Sequence, residues 1–338
     1  MTERLNETEA GRRLGAIART LAPGATRVEG VTRLTGGASM ETWSFDAIGE
    51  ATSVPLILRR RAGAMEDATR TKPPLAREAQ VIGAAVAAGV PAPDVIRVCE
   101  DGDDLGEAYV MRRLSGETLG KRIATDPAFA PARAKLARQC GAALARIHAT
   151  PPPPGLDTAD AAQTLAGYEA TWRASGAVRP TIEAAFRWLE RRLPVERVAP
   201  RLVHGDFRNG NIMVDADDGL VAVLDWELAH LGDPAEDIGW ICTNSWRFGQ
   251  PQKRVGGFGD LDDLLAGYVE AGGAPIDPAR IDFWQMVGSL KWGVMTTQMH
   301  ASFAADPAAG PERGVIGRRL SETEADIVAI IERSAASC

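Results

Sequence analysis

Residues 201–240 read RLVHGDFRNGNIMVDADDGLVAVLDWELAHLGDPAEDIGW. A short apolar run, Arg201 to Val203, delivers His204-Gly205-Asp206 into a loop, and Asn211 leads into a second run, Ile212 to Val214. After a turn, a third run, Leu220 to Leu224, carries Asp225 at its end. Strand ends allow side chains from adjacent elements to converge on one point. Two carboxylates and an amide delivered in this way match the needs of phosphoryl transfer from a nucleotide. One acid orients and deprotonates the acceptor hydroxyl, and oxygen ligands hold magnesium on the phosphates. Taken singly, each residue has an ordinary explanation: an Asp before a strand is commonly a turn or cap residue, and a lone His is commonly a satisfied core group. The joint order and spacing carry the reading.

The pattern His-x-Asp-x-x-x-x-Asn, followed by an Asp after an apolar strand, is similar to the catalytic and metal loops shared by protein kinases and aminoglycoside phosphotransferases. With HGD in place of HRD, the segment resembles the second group, the aminoglycoside phosphotransferase and choline kinase-like family. That resemblance implies an α+β, two-lobed protein-kinase-like fold with a small five-stranded sheet lobe and a larger, mostly helical lobe. It implies Asp206 as general base and His204 as the residue that holds the loop by hydrogen bonding. It also implies Asn211 and Asp225 as magnesium ligands, with ATP or GTP as co-substrate. Asp233 and Asp237, four apart at the start of an expected helix, suit capping and the helix dipole. In the family a matching Asp braces the catalytic loop, so both are read as structural. Glu227 is assigned to the solvent or substrate side, and His230 is read as an ordinary polar residue.

Working outward toward the N-terminus, residues 11 to 21 read as a leading helix. β-rich runs follow at Val28 to Thr35, Thr42 to Ile48 and Val54 to Arg60, with shorter ones near Val95 to Cys99 and Ala108 to Arg112. PPLAREAQVIGAAVAAG has a proline start, alanine-rich helical spacing and a closing glycine, the signals of a single helix. In a kinase-like small lobe the turn Gly36-Gly37-Ala38-Ser39 lies over the phosphates, because small residues let backbone amides approach oxygen closely. Any glycine hairpin would look the same. The phosphate-pairing cation is expected on the third strand and its carboxylate partner on the following helix, which points to Arg59 and Glu78. Arginine stands where antibiotic-modifying members typically carry lysine, and it presents a planar, bidentate donor instead of a point charge. LR on that strand, DWE at the metal loop, YVMRRLSGETL, DIGWICTNSWRFG and IGRRLSETEADIV resemble the kinase-like domains related to those fused to acyl-CoA dehydrogenases. The boundary is placed at 1–111 and 112–338. Met111, within Tyr109 to Arg112, is assigned to the nucleotide base through its backbone.

Beyond Gly116 the texture is helical, with further helices expected at 161–174 and 180–193, strand character only at the three short runs quoted above, and helices from there to the end. Trp240, Trp246, Arg247, Trp284, Lys291 and Trp292, with Arg313, Arg318 and Arg319, occupy the region that supplies the acceptor pocket in this architecture. Helical spacing makes core packing the plain reading of the tryptophans, and an aromatic pocket with a cation or two the sharper one. Such a pocket suits an apolar or anionic hydroxylated molecule. By resemblance a hydroxyacyl-CoA or similar metabolic alcohol leads. Because acids such as Glu270, Asp277, Asp282 and Glu322 to Asp326 are present, an aminoglycoside acceptor stays open. From another functional class, a nucleotide-binding pseudokinase is argued for by Arg59 and against by the presence of Asp206, Asn211 and Asp225 together. A hydrolase lacks a nucleophile-elbow serine or cysteine.

The 338 residues suffice for two cores. A formal net charge of -7 argues against nucleic-acid or acidic-membrane partners and leaves small molecules. The N-terminus lacks an apolar export signal, and no stretch is long enough to span a bilayer, so a cytoplasmic protein is expected. Cys99, Cys140, Cys242 and Cys338 show no pair spacing, which favours idle thiols over a disulfide or zinc framework.

Overall fold

The computed structural model describes residues 5–34, 40–61, 74–196, 198–306 and 310–336. The chain divides into two compact units, Met1–Gly116 with Val221–Ala229, and Glu117–Leu220 with His230–Cys338. The first unit opens with α1 (Glu7–Leu21), earlier than the apolar spacing alone suggests, because the Asn6 side chain accepts from the Glu9 amide at 2.9 Å and starts the helix. β1 (Ala25–Leu34), β2 (Met40–Gly49), β3 (Ser53–Arg61), α2 (Leu75–Ala87), β4 (Val95–Val98) and β5 (Ala108–Arg112) follow. The sheet runs β1-β2-β3-β5-β4, with every neighbouring pair antiparallel.

Side chains alternate across a strand, so parity sorts β2 and β3. Trp43, Phe45 and Ala47 of β2 enter a core with Leu56 and Leu58 of β3 and with Leu14, Ile17 and Leu21 from one stripe of α1. Arg60 shares the parity of Leu56 and Leu58 and is fully buried. Its Nη1 donates to Glu41 Oε2 at 2.7 Å and its Nε to the Leu105 carbonyl at 3.1 Å. Arg59 faces the other way.

The second unit contains α3 (Gly120–Thr125), α4 (Ala130–Ala149), α5 (Ala161–Ala174), α6 (Pro180–Glu190), β6 (Arg201–Val203) and β7 (Ile212–Asp215). β8 (Gly219–Val223) starts in it and leads into Val221–Ala229 of the first unit. β9 (His230–Gly232), α7 (Pro234–Ile241), α8 (Leu261–Glu270), α9 (Pro278–Ala305), α10 (Pro311–Gly317) and α11 (Leu320–Ala336) complete it. Trp172 of α5, Phe186 of α6, Trp284 and Leu290 of α9 and Ile327 of α11 form its largest described core. α4 and α8 approach closely at glycines. A Cβ at Gly141 would stand 1.9 Å from the Leu264 carbonyl oxygen, and one at Gly267 would stand 2.0 Å from that of Arg138.

One expectation is corrected. Helices do not resume directly after Asp225, because β9 intervenes and pairs antiparallel with β6, Val203 facing His230. Three residues are too few to show a period. What makes them a strand is distant pairing: the Leu231 amide donates to the Asp157 carbonyl at 2.8 Å, and the Ala159 amide donates to the Leu231 carbonyl at 3.0 Å. Cys140 and Cys242 are buried free thiols, and burial pushes Cys99 up to about 11.

Candidate active site

β6 ends at Val203, and the loop that follows is clamped from beneath by α7. The His204 and Gly205 amides donate to Asp237 Oδ2 and Oδ1 at 2.8 and 2.9 Å. Asp237 is fully buried, and its Oδ2 also lies 3.1 Å from His148 Nε2, whose Nδ1 meets the Tyr268 hydroxyl at 2.9 Å. Burial pushes the Asp237 carboxyl up, but the hydrogen bond and charge of His148, together with His204, outweigh it and hold the group below its ordinary value. His204, also fully buried, accepts the Asp206 amide on Nδ1 at 3.2 Å. Asn209 pins the far side by donating to the Gly120 and Gly256 carbonyls at 3.1 and 2.9 Å.

With its backbone fixed, the loop presents Asp206 with both oxygens engaged. Oδ2 accepts Asn211 Nδ2 at 2.6 Å, while Oδ1 accepts Trp240 Nε1 at 2.6 Å and Arg208 Nε at 3.2 Å. Lys291 Nζ donates to the Gly205 carbonyl at 2.9 Å and sits 4.1 Å over the Trp240 ring. The aromatic cluster continues edge to face, from Trp240 to Trp246 at 5.1 Å and from Trp246 to Trp292 at 4.9 Å between centroids. The Arg208 guanidinium lies 4.4 Å over Trp246 and that of Arg319 lies 5.8 Å over Trp292. The indole nitrogens of Trp246 and Trp292 are buried without an acceptor.

The first unit gathers a second set around Arg59. On β3 this residue stands opposite Tyr109 of β5. Its Nη2 donates to Asp225 Oδ1 at 2.5 Å and lies 3.8 Å from Glu227 Oε2. Its Nε is 3.4 Å from Glu78 Oε1, within ion-pair reach but without hydrogen-bond alignment. Tyr109 donates its hydroxyl to Glu78 Oε1 at 3.1 Å, and Glu78 Oε2 is buried without a partner. Burial raises the Glu78 carboxyl to about 7 against the pull of Arg59, with Asp225 adding to the rise. Asp225 has φ +65°, a left-handed conformation that Asp tolerates better than most residues. Trp226 holds that turn, buried and donating its indole N–H to the Val223 carbonyl at 3.1 Å, so Asp225 and Glu227 flank a fixed anchor.

Of the residues singled out from sequence, His204, Asp206 and Asn211 meet in the second unit, and Arg59, Glu78 and Asp225 meet in the first. Glu227 sits at the edge of the Arg59 cluster. Met111 lies on β5 between Ile57 and Val95. Gly36, Gly37, Ala38 and Ser39 lie outside the described residues. Asp233 caps α7 through the Ala235 amide at 3.0 Å and takes Arg280 Nε at 2.6 Å and Trp284 Nε1 at 2.7 Å, a structural role. His230 pairs with Glu236 at 3.2 Å. Trp284 is core, whereas Trp240 reaches Asp206 in the loop after β6. Sequence reasoning passed over His148, Tyr268, Tyr109 and Arg208. Only His148 carried a signal, as a lone imidazole near the end of the alanine-rich turn ALARIHA.

Residues 30–284 match the model of the phosphotransferase enzyme family. The chain belongs to that family. This phosphotransferase is 30% identical over 175 residues to mouse acyl-CoA dehydrogenase family member 10, a match covering 49% of this chain and 16% of the relative. It thus spans a minor part of the relative's length, which leaves most of that protein unmatched. Among solved structures, a Ralstonia eutropha protein assigned as an aminoglycoside phosphotransferase superposes with TM-score 0.71 at 20% identity, covering 95% of this chain and 98% of that one. Spectinomycin phosphotransferase, solved with ADP and spectinomycin, gives TM-score 0.65 at 12% identity, covering 94% and 98%. At such identities the likeness establishes the protein-kinase-like fold. Family membership places the chain among phosphotransferases, and the solved structures show its fold. Among the described residues no helix is long and apolar enough to cross a membrane.

Proposed function

We propose that this phosphotransferase moves the γ-phosphoryl group of ATP or GTP to a hydroxyl of a small metabolite, with Asp206 accepting the hydroxyl proton. The observation that carries this reading is the bracing of Asp206: its backbone is held through Asp237 and His204, and its carboxylate is aimed by Asn211 and Trp240. A general base must be fixed within hydrogen-bond reach of the proton it takes, and a rigid loop provides that.

Asn211 and Asp225 are each chemically suited to magnesium. Asn211 spends its Nδ2 on Asp206, which leaves its amide oxygen for a cation, and Asp225 adds a carboxylate. These are hard oxygen ligands. Magnesium is commonly held by one or two carboxylates plus phosphate oxygens and water. When bound, magnesium would neutralise charge on the phosphates. Arg59 is the cation proposed to meet a phosphate oxygen, and Glu78 holds that guanidinium at 3.4 Å.

For the acceptor, a hydroxyacyl-CoA or similar metabolic alcohol is favoured over a polycationic antibiotic. Two buried indole N–H groups without acceptors, flanked by Lys291, Arg208 and Arg319, suit a carbonyl-bearing or anionic molecule. Several of the acids that could greet a polycation are already committed. Glu270 pairs with Arg138, Asp282 with Arg254 and Glu322 with Arg319, while Asp277 caps α9 and Asp326 accepts from Ser289. The test is phosphorus NMR of the purified protein with magnesium and ATP or GTP, against hydroxyacyl-CoAs, sugars, choline-like alcohols and aminoglycosides. A new phosphomonoester is expected, with turnover falling about 10²- to 10⁴-fold in Asp206→Asn. Unchanged turnover in that variant would end the assignment of Asp206, and single-turnover silence with every acceptor would favour a nucleotide-binding protein without catalysis.

A further inference from the structure

Trp240 differs from the other two indoles of its cluster. Its N–H donates to Asp206 Oδ1 at 2.6 Å, whereas those of Trp246 and Trp292 find no acceptor. It lies three residues beyond Asp237 on α7, the spacing that puts two side chains on one helical face. A single helix face therefore holds the loop backbone through Asp237 and the Asp206 carboxylate through Trp240.

The ring is seated from α9. A Cβ at Gly239 would stand 2.5 Å from the Trp284 carbonyl carbon, and one at Gly288 would stand 3.1 Å from Trp240 Cε3, so both glycines permit the close approach of α7 and α9. Lys291, three residues after Gly288, then reaches the indole face at 4.1 Å and the Gly205 carbonyl at 2.9 Å. Among the described residues it is buried with no carboxylate in ion-pair distance, so the indole face and the carbonyl dipole are its compensation. A cation on a π face draws electron density from the ring and strengthens its N–H as a donor. An indole N–H is also a donor only: it can aim a carboxylate yet cannot take up the acceptor's proton. Arg208, the other donor to Oδ1, is more distant at 3.2 Å and more exposed.

We propose that Trp240, backed by Lys291, is a positioning residue for the catalytic base, holding Asp206 Oδ1 by its indole N–H so that the carboxylate meets the acceptor hydroxyl in one orientation. The inference rests on the reading of Asp206 as base. Its test uses ¹⁵N-indole-labelled enzyme together with kinetics. The chain has eight tryptophans, and Trp240→Phe identifies the Trp240 cross-peak by its loss. That peak is expected downfield and protected from exchange, moving in both Asp206→Ala and Lys291→Met. A peak that stays put in both overturns the proposal. With magnesium-ATP and the acceptor found by the phosphorus NMR screen, Trp240→Phe should lower kcat about ten- to a hundredfold, the range of a hydrogen bond to a charged group. KM for the nucleotide and the thermal midpoint should stay close to wild type, and Trp240→His, which returns a ring N–H, should recover part of the loss. If Trp240→Phe keeps full kcat while Asp206→Asn loses it, the positioning role is overturned and the base assignment stands. If Asp206→Asn keeps its turnover, both fall. Should Trp240→Phe not fold, Trp240→His identifies the cross-peak by the same loss, and its movement in Lys291→Met decides.

Discussion

The two functional clusters of this phosphotransferase hold their carboxylates by different means. In the first unit one guanidinium, Arg59, sits among Glu78, Asp225 and Glu227, so charge does the holding. In the second, Asp206 is held mainly by an amide, an indole and a clamped backbone, with Arg208 as a more exposed addition. The difference suits the roles proposed for each. A phosphate-binding cation needs full charge and can share it among several acids, whereas a base that takes a proton needs neutral donors that fix it without replacing it.

The sharpest way to break the comparison is beneath the loop. Asp237→Ala leaves the His204 and Gly205 amides and His148 without their acceptor in a fully buried place, and a loss of about 3–5 kcal/mol is expected in chemical denaturation. Asp237→Asn keeps one acceptor oxygen and should lose less. A variant as stable as wild type would mean that the loop is held elsewhere. Arg59→Met removes the cation from three acids and should cost about 3 kcal/mol, lessened by the partial exposure of Asp225 and Glu227. It should also raise KM for the nucleotide far more than it alters the melting of the second unit.

A pH series sharpens the contrast further. Glu78 is raised from its ordinary 4.5 to about 7, so the folded state holds this proton more tightly than the unfolded one. Its contribution to stability is full below the unfolded value and is lost as pH rises through about 7, by roughly 3 kcal/mol at most. Glu78→Gln should flatten that decline, and an equally steep decline in the variant would place its origin in another group. Asp237, held below its ordinary value, has the opposite sign: its contribution is present above the unfolded value and is lost as pH falls through the folded one. The smallest effect is expected for Lys253→Ala. It breaks an exposed pair with Asp260 and should change stability by less than about 1 kcal/mol.

Much of this arrangement was legible in the linear chain. Strands β5 and β6 and helix α5 fall where composition and turn residues put them, since local propensity and patterning agree there with the tertiary outcome. His204, Asp206 and Asn211 lie within eight residues of one another and were readable as a unit. Arg59 and Glu78 were found by their place on a strand and the following helix, and the structure brings them within ion-pair distance.

What the sequence by itself determined is therefore residue chemistry: which side chains could serve as oxygen ligands, base and cation, and which segments alternate with the period of a strand or a helix. What only the tertiary structure decided is the partnership of side chains far apart in the chain. Trp240 looked like one more core tryptophan until α7 and α9 brought its N–H to Asp206 and Lys291 to its face. His148 acquired meaning only beside Asp237, 89 residues away. Arg59 and Arg60, adjacent and chemically identical, were separated by the parity of one strand into a site residue and a buried structural cation. Sequence records residue type and local period, whereas hydrogen bonds and ion pairs depend on distances of a few ångströms that packing alone sets.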